Sequence, residues 1–393
     1  MGGIRTPQHM ADLTVLHIID SLGAGGAERS LAEMLPRFEG AGIRSIVCCL
    51  EQRHHGVASS VLEREGDVRI LDRHRLVPRV GAFRRMLTEE DPDLVHTTLF
   101  ASTIVGRLAT RRTGIPVLSS LVNTPYTAVR RHDPKVKSLA LTGVRVVDAL
   151  SARWTTHFHA ITHAVKDAAI DTLHVAPDRI TVIPRGRSRD RLGEPSRERR
   201  SAVRASLGLT DDAAVLISVG RQEYQKGQQL LLEAMPAILA RTPDTVLLIA
   251  GRRGAASAAL DDAHRRLTLG DRVRFLGHRD DVPDLLVASD LLVFPSLFEG
   301  LGGTLLEAMA LGTPIVASDV PAIREVLADG DVGLLVEPGS ASALASAVWS
   351  ALRDQPSTER RRRAAVERFA TEYSIERTTD HMIELYQRIA AAR

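Results

Sequence analysis

The stretch SLFEGLGGTLLEAMALG, residues 296–312, holds two carboxylates, Glu299 and Glu307, on either side of a glycine-rich turn. The apolar run DLLVFP just before it reads as a buried strand, and TLLEAMA just after the turn reads as a helix. Strand, glycine turn and helix in that order form one unit of a parallel α/β sheet, and ligands of such sheets gather beyond the carboxyl ends of the strands. Gly300, Gly302 and Gly303 bring backbone N–H groups to that place. With Thr304 and Leu305 they begin a helix whose positive end favours a phosphate. Glu299 repels phosphate, so its use lies elsewhere: a carboxylate accepts hydrogen bonds, and sugar hydroxyls donate them. Glu307 stands where it can accept from a second set of hydroxyls, such as those of a ribose.

Outward from this turn the pattern repeats. Strand-like runs stand at 214–220, 245–251, 273–277, 291–295, 314–318 and 333–336. An earlier series stands at 14–20, 45–50, 68–71, 94–97, 116–121, 159–162 and 180–184. Amphipathic helices fit between most of them, for example at 27–38, 101–112 and 163–174. Apolar strands alternating with helices imply parallel sheets covered on both faces. The stretch RGRSRDRLGEPSRERR interrupts the rhythm with charge, Gly and Pro and reads as a linker. The expected fold is therefore α/β, two doubly wound Rossmann-like domains facing a central cleft. Their expected limits are 12–190 and 191–375, with a last helix over 376–393 whose Ile383, Leu385 and Ile389 need a surface to cover.

Two more stretches fall at strand ends. In SLGAGGAERS, after the first strand, Gly25 and Gly26 open a helix that offers free N–H groups to an anion. The dinucleotide fingerprint is not met, since no acidic residue ends a well-placed second strand. In GRQEYQKGQQLLLEA, Arg221 and Lys226 share a loop at a strand's carboxyl end, where two cations can clamp a diphosphate.

Bulk properties exclude several classes. At 393 residues with 44% hydrophobic and 25% charged content, the chain reads as a soluble globular protein of two domains. It has no apolar run of about 18 residues and no signal-peptide core, so it reads as cytosolic. Cys48 and Cys49 are adjacent on one strand, pointing to opposite faces, and read as core residues without a redox role. Basic residues outnumber acidic ones up to residue 190, and the balance reverses beyond. That suits anionic partners or peripheral contact with the inner face of a membrane, and falls short of a nucleic-acid footprint. No metal motif, phosphate loop of the GxxxxGK type or GxSxG elbow is present, and the adjacent His54 and His55 cannot chelate as a helical pair.

These residues resemble the GT-B glycosyltransferases, in particular the large retaining family 4, over about 14–390. FEGLGGTLLEAMALGTPIVASDVPAIREV is similar to that family's E-x7-E signature, here on Glu299 and Glu307, and SVGRQEYQKG to its diphosphate loop. GAGGAERS resembles the glycine loop of the first domain, and FLGHRDDVPDLLVASDLLVFPS also follows the family pattern. The resemblance implies a donor-binding second domain and an acceptor-binding first domain. Glu307 would hold the ribose of a nucleotide-diphosphate sugar, Arg221 and Lys226 its diphosphate, and Glu299 the sugar. It implies metal-free transfer without a cofactor, to a hydroxyl acceptor, and a last helix that crosses back to the first domain. Two departures fall on the acceptor side. Where many relatives carry a histidine, the loop reads LVNTPY, with Asn123 or Val122 about there and His96 on the preceding strand. Where relatives often read IPNG, this chain reads IPRG, with Arg185 in the Asn position. UDP-, GDP- and dTDP-linked donors all stay open, with Arg252 and Arg253 near the place of the base. So do a lipid-linked saccharide, a glycan and a small metabolite as acceptor. A nucleotide-sugar epimerase and a non-catalytic nucleotide-sugar-binding subunit are the rival readings.

Overall fold

The computed structural model describes residues 13–23, 25–52, 66–71, 75–127 and 138–392. Ala24 of the glycine loop, His54, His55, Lys135 and Lys137 lie outside the described residues.

Thirteen parallel strands form two sheets. The first holds β1 (Leu13–Ile19), β2 (Ile43–Cys49), β3 (Asp67–Ile70), β4 (Leu94–Thr98), β5 (Val117–Leu121), β6 (His157–Ala160) and β7 (Ile180–Val182), in the order β3-β2-β1-β4-β5-β6-β7. The second holds β8 (Val215–Val219), β9 (Val246–Ala250), β10 (Val273–Gly277), β11 (Leu291–Phe294), β12 (Ile315–Ser318) and β13 (Leu334–Val336), in the order β10-β9-β8-β11-β12-β13. Every run read as a strand from its apolar residues is a strand. Val246–Ala250 and Leu291–Phe294 are buried at every position, the pattern of strands covered on both faces.

Each sheet starts in its middle, grows to one edge, then crosses to the other. The order reverses between β1 and β4 and again between β8 and β11, and a doubly wound sheet opens a crevice at that reversal. The glycine loop follows β1, the Arg221/Lys226 loop follows β8, and the Glu299 turn follows β11. Three stretches chosen for composition thus sit at the two switch points.

The tail is two helices. Gln355–Glu372 lays Ala365 and Phe369 into the core of the second sheet. Ile375–Ala391 then turns onto the first, where Met382, Leu385, Tyr386 and Ile389 join the cluster formed by β1, β2 and the helix Gly26–Gly40, with Ile383 packed against it. The stretch read as a linker is more built than its charge suggests. Arg187 forms a parallel bridge with Ser374, and Arg187 and Arg204 are both buried. Arg204, four residues past that stretch on the helix Arg197–Ser206, donates to Asp290 at 2.7 Å and to four backbone carbonyls, so the chain leaving the stretch is fastened to the second sheet by a desolvated guanidinium. Gly186 has no room for a side chain, because a Cβ there would stand 2.6 Å from the Ser374 carbonyl oxygen.

Candidate functional site

Glu299 ends the loop after β11 and is buried, so its carboxylate needs partners. It has two. Lys226 donates to Oε1, and Ser296 Oγ donates to the same atom at 3.0 Å. Lys226 arrives from the loop after β8, the neighbour of β11, and its ammonium also lies 5.3 Å from the centroid of the Phe294 ring, within cation–π range. Its aliphatic stem passes 3.2 Å from where a Cβ on Gly220 would be, so glycine there leaves the lysine its path. Glu299 Oε2 takes no donor among the described residues and is left for another hydrogen-bond donor.

Beyond Glu299 the chain makes the turn to the helix Gly303–Leu311. Gly302 is the N-cap at φ 90°, a left-handed conformation that a side chain would strain. No side chain caps this helix, and no acidic residue stands in its first turn. The Leu305 amide donates to the Gly302 carbonyl at 2.9 Å, so the amides left for an anion are those of Gly303 and Thr304. Arg221, at the end of β8, is exposed.

Glu307 lies one face further along this helix, also buried. Arg29 Nη1 donates to its Oε1 at 3.0 Å and Arg187 Nε at 3.4 Å. Arg29 belongs to the helix that follows the first sheet's glycine loop, so this carboxylate ties the two sheets' switch points together. Here too the bonds fall on one oxygen, and Oε2 takes no donor among the described residues.

The profile of the glycosyl transferases group 1 matches residues 199–368, and that of glycosyltransferase family 4 matches residues 24–191. The chain is 31% identical over 346 residues to the D-inositol 3-phosphate glycosyltransferase of Rhodococcus jostii, covering 81% of this chain and 72% of that protein. The chain belongs to glycosyltransferase family 4. This family 4 enzyme is also 29% identical over 255 residues to the UDP-Gal:alpha-D-GlcNAc-diphosphoundecaprenol alpha-1,3-galactosyltransferase of Escherichia coli, a match that spans 64% of each chain, just under two thirds of that relative. Its fold is GT-B: the structure of Anabaena Alr3699/HepE in complex with UDP and glucose superposes with a TM-score of 0.82 at 23% identity, over 96% of this chain and 100% of that one.

On the first-domain side the transferase differs from what its sequence suggests. Gly25 is the N-cap of the helix Gly26–Gly40, but Glu28 stands in the first turn and lies against it: a Cβ on Gly25 would be 2.3 Å from Glu28 Oε2. A carboxylate thus already faces those amides, and this N-terminus is a poorer anion site than that of Gly303–Leu311. Arg185 sits over Gly26, its Nη1 3.3 Å from where a Cβ would be. Burial lowers its pKa to about 10, with the Arg187 charge adding to the effect.

His96 is not placed to touch an acceptor. It is buried in β4, with both ring nitrogens engaged, Nδ1 to Tyr386 Oη and Nε2 to Ser120 Oγ, each at 2.7 Å. The chain of bonds continues from Ser120 Oγ to His159 Nδ1 at 2.8 Å and from His159 Nε2 to the Ile183 carbonyl at 2.8 Å. A carbonyl only accepts, so His159 Nε2 carries the proton, and every direction upstream follows: Tyr386 donates to His96, His96 to Ser120, Ser120 to His159. The relay is a neutral fastening between the crossing helix and the first sheet. Asn123 lies beside the Glu299 turn, its Cα 3.1 Å from where a Cβ on Gly300 would be. Its loop closes on that turn, where a Cβ on Gly300 would stand 2.3 Å from the Val122 carbonyl oxygen, and Thr162 Oγ1 donates to the Gly300 carbonyl at 2.9 Å.

Arg252 contacts His278 at 3.3 Å beyond β9 and β10, and Arg253 is paired with Asp261. Cys48 and Cys49 are buried and free, and burial pushes the Cys49 thiol up to about 12. Among the described residues no group of three His, Cys, Asp or Glu could hold a metal, and no helix is long and apolar enough to cross a membrane. Arg29 and Arg187 escaped sequence reading. Their signal was there, in an arginine beside the glycine loop and another directly after IPRG, but nothing local pairs them with Glu307.

Proposed function

We propose that this transferase moves a hexosyl unit from a nucleotide-diphosphate sugar to a hydroxyl of its acceptor, with retention of configuration and without a metal. The observation that carries the reading is the Lys226–Glu299 pair beside the uncapped helix Gly303–Leu311, at the switch point of the second sheet. Breaking the anomeric C–O bond builds negative charge on the β-phosphate. Lys226, Arg221 and the amides of Gly303 and Thr304 take up that charge without rearranging. Glu299 Oε2 accepts from a hydroxyl of the sugar and fixes its orientation, and Glu307 Oε2 accepts from the ribose while Arg29 and Arg187 hold Oε1. The acceptor oxygen attacks the anomeric carbon on the face the diphosphate leaves, and the acceptor's proton passes to the departing phosphate oxygen. UDP-hexoses come first among donors, because the Escherichia coli relative is a UDP-Gal enzyme. The reaction fits the cytoplasm, and the basic balance of residues 1–190 supports peripheral contact with an anionic membrane face.

The test is a thermal-shift panel of UDP-, GDP- and dTDP-hexoses, followed by proton NMR of the product formed with the stabilising donor. A ligand that binds the folded form raises the melting temperature. The product keeps the donor's anomeric configuration, and Glu299→Ala binds the nucleotide without transferring. An active Glu299→Ala enzyme, or an inverted product, would overturn the mechanism. A changed sugar recovered from donor alone would mark an epimerase.

A further inference from the structure

The first domain contains a cavity of about 470 Å³, within the size range of small-molecule sites. Its walls include Leu99 and Phe100 at the start of one helix, Leu141 and Val144 of the helix Ser138–Ala152, and Val165 and Leu173 of the helix His163–Leu173. The polar groups at its floor are already engaged with one another. Arg107 donates to Asp148 at 2.7 Å and to Thr155 at 2.8 Å, and Tyr126 donates to Asp148 at 2.9 Å. Ser119 is bonded to Thr97 and Thr155, and Ser120 to His96 and His159. A sugar placed on that floor would give up water for few new hydrogen bonds, whereas hydrocarbon gives up none.

Two placements say what enters. One wall is Val122 and Asn123, the same backbone that closes on Gly300, so an occupant filling the cavity to that wall ends beside the Glu299 turn. At that end Asn123 supplies a polar handle: its Oδ1 accepts from the Thr124 amide at 2.8 Å, and its NH₂ points to no acceptor among the described residues. The opposite wall continues outside. Val144 lines the cavity and is also 38% exposed, on a helix face where Leu139, Val146, Val147 and Leu150 are exposed as well. That outward face carries no charged residue, since Arg145 is half-buried and Asp148 buried. Single exposed apolar residues are ordinary, but a contiguous strip leading out of an apolar cavity marks a binding surface. A compact ring system would need the cavity alone; the strip adds room for a chain.

We infer that the acceptor is an amphiphile, with its hydroxylated head at Asn123 and a hydrocarbon chain that fills the cavity and leaves across the helix Ser138–Ala152. The word acceptor rests on the transferase reading; the chain-binding cavity does not.

The experiment is calorimetric titration of the full chain with n-alkyl β-D-glucosides from butyl to decyl, below their micelle-forming concentrations. Affinity should rise about three- to fourfold per methylene until the cavity and strip are filled. Ala169→Phe, which fills the cavity, and Val144→Asp, which charges its rim, should each weaken decyl glucoside by tenfold or more and flatten the series. Thermal shifts with UDP, GDP and dTDP on the same samples read the donor side separately, so no shift with any of the three alongside an intact chain-length series would fail the transferase reading and leave this one standing. Affinity independent of chain length, a series that survives both substitutions, or tight binding of 2-naphthol without any chain-length dependence would overturn the inference.

Discussion

Lys226 and Glu299 stand 73 residues apart and share a hydrogen bond, because β8 and β11, which deliver them, are neighbours in one sheet. The pair does two jobs at once. It neutralises a buried carboxylate, and it holds an ammonium on the turn that leads into an uncapped helix. Lys226→Ala should therefore lower the transfer rate by roughly 10²–10³. Steady-state kinetics with a saturating acceptor checks this; a loss confined to KM would show that the lysine binds substrate and transition state equally.

In the proposed mechanism Glu307 Oε2 accepts from the ribose while Arg29 and Arg187 hold Oε1. The enzyme should then prefer UDP over 2′,3′-dideoxy-UDP by about tenfold, the worth of a hydrogen bond to a charged group. Glu307→Leu should erase most of that preference. Competitive calorimetry of the two nucleotides gives the ratio directly, and an unchanged ratio in the variant would remove Glu307 from the ribose.

The two sheets, their strands and the loops at the switch points were legible because parallel strands buried on both faces leave long apolar runs, and glycine turns after them mark strand ends. Lys226 and Glu299 could be placed opposite one another on topology alone. The partners of Glu307 could not. Arg29 is 278 residues away and Arg187 is 120, on different parts of the fold, and no periodicity links such positions. Arg187 sat in a stretch whose charge and Pro read as linker, yet its guanidinium is buried. His96 is turned away from an acceptor for a related reason: a histidine within a strand looks the same in sequence whether it faces a cleft or, as here, the crossing helix.

Tyr386 fastens the crossing helix through His96. Tyr386→Phe keeps the ring and removes the hydroxyl, so His96 Nδ1 loses its donor in a buried place, at a cost of about 1–3 kcal/mol. Urea denaturation should show a lower midpoint with an unchanged slope.

Burial holds His17 down to about 3 and His159 to about 4; it also holds His96 well below its usual value, with the His17 and His159 charges adding to the effect. In the unfolded chain all three titrate near 6.5, so below that pH the unfolded state takes up protons the folded state refuses. Stability is thus full above about pH 6.5 and falls as pH drops toward 4, by roughly 2 kcal/mol at pH 5 for each of His17 and His159, with His96 acting in the same direction. Urea midpoints at pH 7.5 and pH 5 check this, and a flat profile between them would show that the three rings are not held neutral.

The most direct measurement is calorimetric titration of wild type, Lys226→Ala and Glu299→Ala with UDP and the stabilising UDP-hexose. A pyrophosphate gripped by Lys226 beside the helix Gly303–Leu311 predicts UDP affinity lost by tenfold or more in Lys226→Ala and kept within about threefold in Glu299→Ala, with the added affinity for the sugar gone in the latter. Equal UDP affinity in wild type and Lys226→Ala would contradict the assignment of this site.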